Sequence, residues 1–168
     1  MLVHLHFCSA YFARISSGIF GDLGIDDFEF QMNERVDLSE RTLQILHNPN
    51  IAPHPMEYDL GVIVPLYLIG LKCRVSSTRG RAINLLLGYP RTEGIWDSGF
   101  AGKFTSWVRD LEEEFLETET GRVPEWARVM GLQPKLDFEG RRAEVFCRQR
   151  SAPRGEWVER GGGGGGGC

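Results

Sequence analysis

Phe100, Phe104, Trp107, Val108, Leu111 and Phe115 recur every three or four residues through one charged stretch, with Lys103, Arg109, Asp110 and Glu112 to Glu114 between them. At 3.6 residues per turn this spacing gathers the apolar groups on one side. The pattern predicts a long amphipathic helix with an acidic outer face, started by Asp97 or Ser98 as N-cap. Phe104, Trp107 and Leu111 are its expected buried seam. Such a helix needs other surfaces to cover it, and 168 residues with 42% hydrophobic and 25% charged content are enough for a core. That length suits one domain.

The remaining segments supply further helices. Leu2 to Phe20 is apolar around much of the circle and reads as a helix buried by neighbours. Its abrupt start leads us to expect a fragment or a truncated relative of a longer protein. After GDLGIDD, Phe28, Met32, Val36, Leu43 and Leu46 form one helical stripe running to His47, capped by Asp26 or Asp27. The segment NPNIAPHP is a loop, because its prolines restrict φ and lack N–H donors. Pro65 fits the first turn of a helix to about Cys73, on which Tyr67, Leu68 and Leu71 continue the face begun at Val62 and Val64. Ser76 or Ser77 can cap a short helix that Gly88 and Pro90 close. Near the C-terminus LQPKLDF and RRAEVFCRQ flank Glu139–Gly140 as a β-hairpin. Seven glycines, Gly161 to Gly167, lose much entropy on ordering and bury little, so residues 151–168 are expected to be a disordered tail.

The residue chemistry excludes several functions. A net charge of −4 speaks against a chain that grips nucleic-acid phosphates. Cys8, Cys73, Cys147 and Cys168 lie too far apart for a zinc framework and read as buried apolar groups. His4, His6 and Cys8 would share a face only on a strand, whereas a helix fans them apart. Gly94, Gly99 and Gly102–Lys103 miss the phosphate-loop pattern, and GIFGDLG misses the dinucleotide fingerprint. His47 and His54 have no evident nucleophile or carboxylate nearby in sequence. The glutamates from Glu112 to Glu119 read as a solvated face that performs no acid–base chemistry. Arg141, Arg142, Arg148 and Arg150 read as a salt-bridging sheet edge beside Glu139 and Glu144. The N-terminus lacks the basic region of a signal peptide, and no apolar run approaches the ~20 residues of a membrane helix. No catalytic, cofactor-binding or metal-ligating residue is assigned.

The order of the later blocks is more informative. DLGVIVPLYLIGLKCR, RGRAINLLLGYPRTEGIWDS, a Trp107 helix ending in LEEE, and LDFEGRRAEVFCRQ follow one another over residues 58–150. This series resembles the C-terminal portion of the fungal-specific transcription factor domain of zinc-cluster regulators. Residues 1–57 resemble the variable helical part that precedes those blocks. Each block also has a local structural reading: Lys72 and Arg74 suit a helix C-terminus, and Ile95 and Trp96 would pack back on the following helix as a staple. The six-cysteine zinc module of the family has no counterpart here, so zinc and DNA recognition do not carry over.

The expected fold is mainly α: a helical array with a small C-terminal β-hairpin and a disordered Gly-rich tail, divided into a helical regulatory domain, 1–150, and the tail, 151–168. The resemblance implies a non-catalytic regulatory or protein-interaction portion of a fungal transcription regulator, nuclear, with no cofactor in this chain, no direct DNA binding and no membrane. A protein partner or self-association is expected, with Leu5, Phe12 and Ile15 exposed, and the sequence names no small-molecule effector. The alternative reading is a stand-alone helical small-molecule binding protein or enzyme.

Overall fold

A computed structural model describes residues 28–48, 61–137 and 142–165. Leu2 to Phe20, the cap candidates Asp26 and Asp27, the NPNIAPHP loop beyond Asn48, Glu139–Gly140 and Arg141 lie outside these described residues. The elements are α1 (Glu29–Leu46), α2 (Ile63–Lys72), α3 (Ser76–Gly88), β1 (Thr92–Glu93), β2 (Trp96–Asp97), α4 (Ser98–Glu113), a 3₁₀ turn (Glu125–Ala127), β3 (Met130–Asp137), β4 (Arg142–Arg150) and β5 (Trp157–Gly165). The chain is mainly helical with a C-terminal hairpin, as its periodicities predict. It divides into two compact units, Met1–Arg109 and Asp110–Cys168, and the boundary falls within α4.

In the first unit Met32, Val36 and Leu43 of α1 meet Ile63, Leu66 and Ile69 of α2 and Ala82, Leu85 and Leu86 of α3. Phe28 and Leu46 complete the α1 stripe at its partly buried ends. Burying each large aliphatic group contributes about 1.5–3 kcal/mol before entropy is subtracted. Polar groups fix the registers. Arg79, fully buried, donates from Nε to the Gly70 carbonyl at 2.8 Å and joins α3 to α2. Arg81 reaches Asp37 at 2.6 Å and Glu40 at 2.9 Å on α1. Those carboxylates raise its pKa through hydrogen bonds, although the exposure of the groups limits each pair to about 1 kcal/mol or less.

Helices α2 and α3 each differ from their sequence reading. Along α2 the buried face runs through Val62, Ile63, Leu66, Ile69, Gly70 and Cys73, while Val64, Tyr67, Leu68 and Leu71 are only partly covered. An almost wholly apolar helix has no polar side to mark which face turns inward. Pro65 does lie in the first turn. Helix α3 begins at Ser76 with Val75 as its N-cap, so neither serine caps it.

The second unit contains the end of α4, the 3₁₀ turn and a three-stranded antiparallel sheet in the order β3-β4-β5. Lys135 opposes Glu144 and Gln133 opposes Phe146 in the β3–β4 hairpin. The expected disordered tail is corrected over Trp157–Gly165, which pairs along all of β4 from Arg150↔Trp157 to Arg142↔Gly165. Glycine side chains bury nothing, but their amides complete the β4 ladder and Trp157 to Arg160 anchor the register. Consequently β4 is the central strand, and its arginines do not form an edge. Arg150 instead lies over the Trp157 ring, 4.9 Å from its centroid.

Candidate functional site

The segment before α4 forms a two-residue hairpin in which Thr92 opposes Asp97 and Glu93 opposes Trp96. Gly94 turns the chain with φ +58°, a conformation most side chains resist. Three sets of bonds brace the hairpin. Glu93 is buried, pairs with Arg91 at 3.1 Å and accepts the Ile63 N–H at 3.0 Å, so a carboxylate lies at the N-terminus of α2. Ser98 Oγ accepts the Arg91 N–H at 2.9 Å, and the Ser98 N–H donates to the Arg91 carbonyl at 3.0 Å. Asp97 Oδ1 accepts the Phe100 N–H at 2.6 Å, the N-cap bond expected of this motif.

What this bracing holds up is apolar. Ile95, at the hairpin tip, is 95% exposed, Phe100 50% and Trp96 37%. Trp96 lies 5.3 Å from the Tyr67 ring, Tyr67 6.1 Å from Phe104, and Phe104 6.1 Å from Phe100 and 6.4 Å from Trp107. Tyr67 is partly buried, and desolvation raises its phenol pKa. Five aromatic groups thus run from one to the next beside an exposed isoleucine. Single exposed apolar residues are ordinary, whereas a contiguous set on a rigid support is a candidate interaction surface.

The sequence places this surface only in part. The Ile95 staple does not form, because the Gly94 turn directs that side chain to solvent. The expected seam also shifts: within α4 the buried positions are Ser98, Ala101, Gly102, Thr105, Val108 and Glu112, while Phe104, Trp107 and Leu111 are half-buried. Small residues let helices approach closely. A Cβ placed on Gly70 would come within 2.9 Å of Thr105 Cβ, and Thr105 Oγ1 turns back to the Ala101 carbonyl at 2.8 Å. Close approach, not residue size, selects the inward face.

Glu112 is likewise not on a solvated face. Its Oε1 meets Arg128 Nε at 3.2 Å and accepts the Val129 N–H at 2.9 Å, both side chains being buried. Gln149 donates to the Leu111 carbonyl at 2.9 Å and the Ala127 carbonyl at 2.8 Å. Cys73 and Cys147 are buried, and burial foremost raises the Cys147 pKa. His47 caps α1 through the Leu43 carbonyl at 3.0 Å and packs edge-on against Tyr89. His4, His6, Cys8, His54 and Cys168, with Leu5, Phe12 and Ile15, lie outside the described residues. Among the described residues no three His, Cys, Asp or Glu side chains are grouped to hold a metal ion, and no helix is long and apolar enough to cross a membrane. Glu34, Arg35, Asp37, Leu38 and Arg41 line an open, charged depression along α1.

The chain is similar to the aspercryptin biosynthesis cluster-specific transcription regulator atnN of Emericella nidulans, 30% identical over 135 residues. The similarity relates it to a transcription regulator. It takes in 76% of this chain but only 22% of the relative, so the chain spans under a quarter of that protein's length. No protein-family model matches the sequence, and no solved structure does.

Proposed function

We propose that this chain is the regulatory, protein-interaction portion of a fungal transcription regulator of the zinc-cluster class, acting in the nucleus without chemistry of its own. The observation that carries the reading is the similarity to a transcription regulator over most of this chain. The surface formed by Ile95, Trp96 and Phe100 supports it, because a braced apolar hairpin suits binding to another protein. Zinc and sequence-specific DNA contacts belong, in this reading, to a separate module, since the cysteines here lack the spacing and the chain is net acidic.

Fusing the chain to an unrelated DNA-binding domain upstream of a reporter tests the proposal. Transcription should change several-fold, and Ile95→Asp with Phe100→Ser should remove the change while the fusion remains folded. An inert fusion, or tightly held zinc in the purified chain, would refute it.

A further inference from the structure

The two edges of the C-terminal sheet are built differently. The β3 edge carries Pro134, which offers no N–H, and its pairing register shifts between Met130 and Gln133 beside Gly131 at φ +64°. Proline and bulges are devices that stop an edge from recruiting another strand. The opposite edge, β5, pairs with β4 without a register shift over nine residues and contains no proline. Among the described residues no strand pairs with its outer side. From Gly161 onward it also has no side chains to obstruct an approaching backbone.

We propose that β5 is a dimerisation edge that pairs antiparallel with β5 of a second copy of this chain, giving one continuous six-stranded sheet. The occupant follows from the order of residues along the strand. Gly161 is the central residue of Trp157–Gly165, so a two-fold axis there overlaps the whole strand with itself. Each side-chain-bearing half then faces the other copy's glycine half: Trp157 opposes Gly165, Val158 Gly164, Glu159 Gly163 and Arg160 Gly162. Two-fold registers centred on Glu159 or Arg160 would set like charges directly opposite each other, which is destabilising. The same complementarity already operates within the chain, where the Phe146 ring would lie 3.4 Å from a Cβ on Gly161. Arg160 is held on its own copy by Glu114. The inference stands on the sheet alone and is independent of the regulatory reading.

Sedimentation velocity of the full chain should show a concentration-dependent dimer, and oxidised Gly161→Cys should yield a 161–161 cross-link on peptide mapping. Neighbouring residues of a strand direct their N–H groups to opposite edges, so only one of Gly162→Pro and Gly163→Pro removes an outward donor. That variant should weaken the dimer at least tenfold with the circular dichroism of the monomer retained. Should both prolines unfold the sheet, the cross-link alone decides. A monomer at hundreds of micromolar, a dimer unaffected by both prolines, or a dimer lost on Ile95→Asp would overturn the proposal, the last by moving association to the aromatic surface.

Discussion

The first unit is held mainly by aliphatic packing, with buried Arg79 and Glu93 bonded to the backbone of α2, whereas the second joins its elements through a buried charged pair and an amide. Val36, Leu43, Leu66, Ile69 and Leu86 fill the one; Glu112, Arg128 and Gln149 occupy buried positions in the other. The difference concerns tolerance. An aliphatic contact loses strength gradually as groups shrink, but a buried charge deprived of its partner incurs its full desolvation cost. We therefore expect the smaller unit to depend more sharply on single polar residues.

The largest effect expected is at Glu112. Glu112→Leu leaves Arg128 buried without its carboxylate and the Val129 N–H without its acceptor, so stability should fall by about 3–5 kcal/mol. Glu112→Leu with Arg128→Met should recover most of the loss, as measured by urea melts in a double-mutant cycle. A double variant no better than the single would show that the pair is not the key to this unit.

Close helix packing in the first unit gives the next effect. Gly70→Ala drives a methyl group against Thr105 and should cost about 1–3 kcal/mol through overpacking. Gly80→Ala on α3, where a Cβ meets nothing within 4 Å, should instead stabilise by about 0.5–1 kcal/mol from helix propensity. Equal responses in denaturant melts would mean that α2 and α4 are not in the contact described.

A weaker response is expected from Cys147. Burial raises its folded pKa, opposed in part by Arg160 and aided by Glu112, so the native state keeps a proton that the unfolded chain releases. Its contribution is intact below the unfolded thiol value of about 8.5 and is lost as pH rises through the higher folded value. Urea midpoints should therefore decline as pH rises from about 8.5 through the higher folded value, and Cys147→Ala should flatten the decline. Identical slopes would remove the thiol from the account.

This contrast also explains what the sequence makes legible. The α1 stripe reads directly, because Met32, Val36 and Leu43 alternate with polar residues. The hairpin LQPKLDF–RRAEVFCRQ reads for the same reason, with Val145, Cys147 and Gln149 inward and Glu144, Phe146 and Arg148 outward. Glu112 and the inward face of α4 do not read, since a carboxylate with an arginine sixteen residues away looks like any surface charge. Nor does β5, whose order comes from the β4 ladder and not from its own glycines. Of the candidate surface, Trp96, Phe100 and Phe104 are visible as a motif, but their exposure follows from the small residues that displace them from the core.

The smallest stability effect should accompany the clearest functional one. Ile95 contacts little, the hairpin beneath it being braced by Glu93, Asp97 and Ser98, so Ile95→Ser should change stability by no more than about 0.5 kcal/mol. Glu93→Gln should cost more, because it weakens the bond at the start of α2 and the pair with Arg91 while leaving the apolar groups in place. If the surface binds a partner, the two variants separate cleanly: Ile95→Ser abolishes the tethered-reporter response with its melting curve unchanged, and Glu93→Gln lowers the melting curve first. A reporter response that survives Ile95→Ser but falls with every loss of stability would show that the fold, and not this hairpin, is what a partner reads.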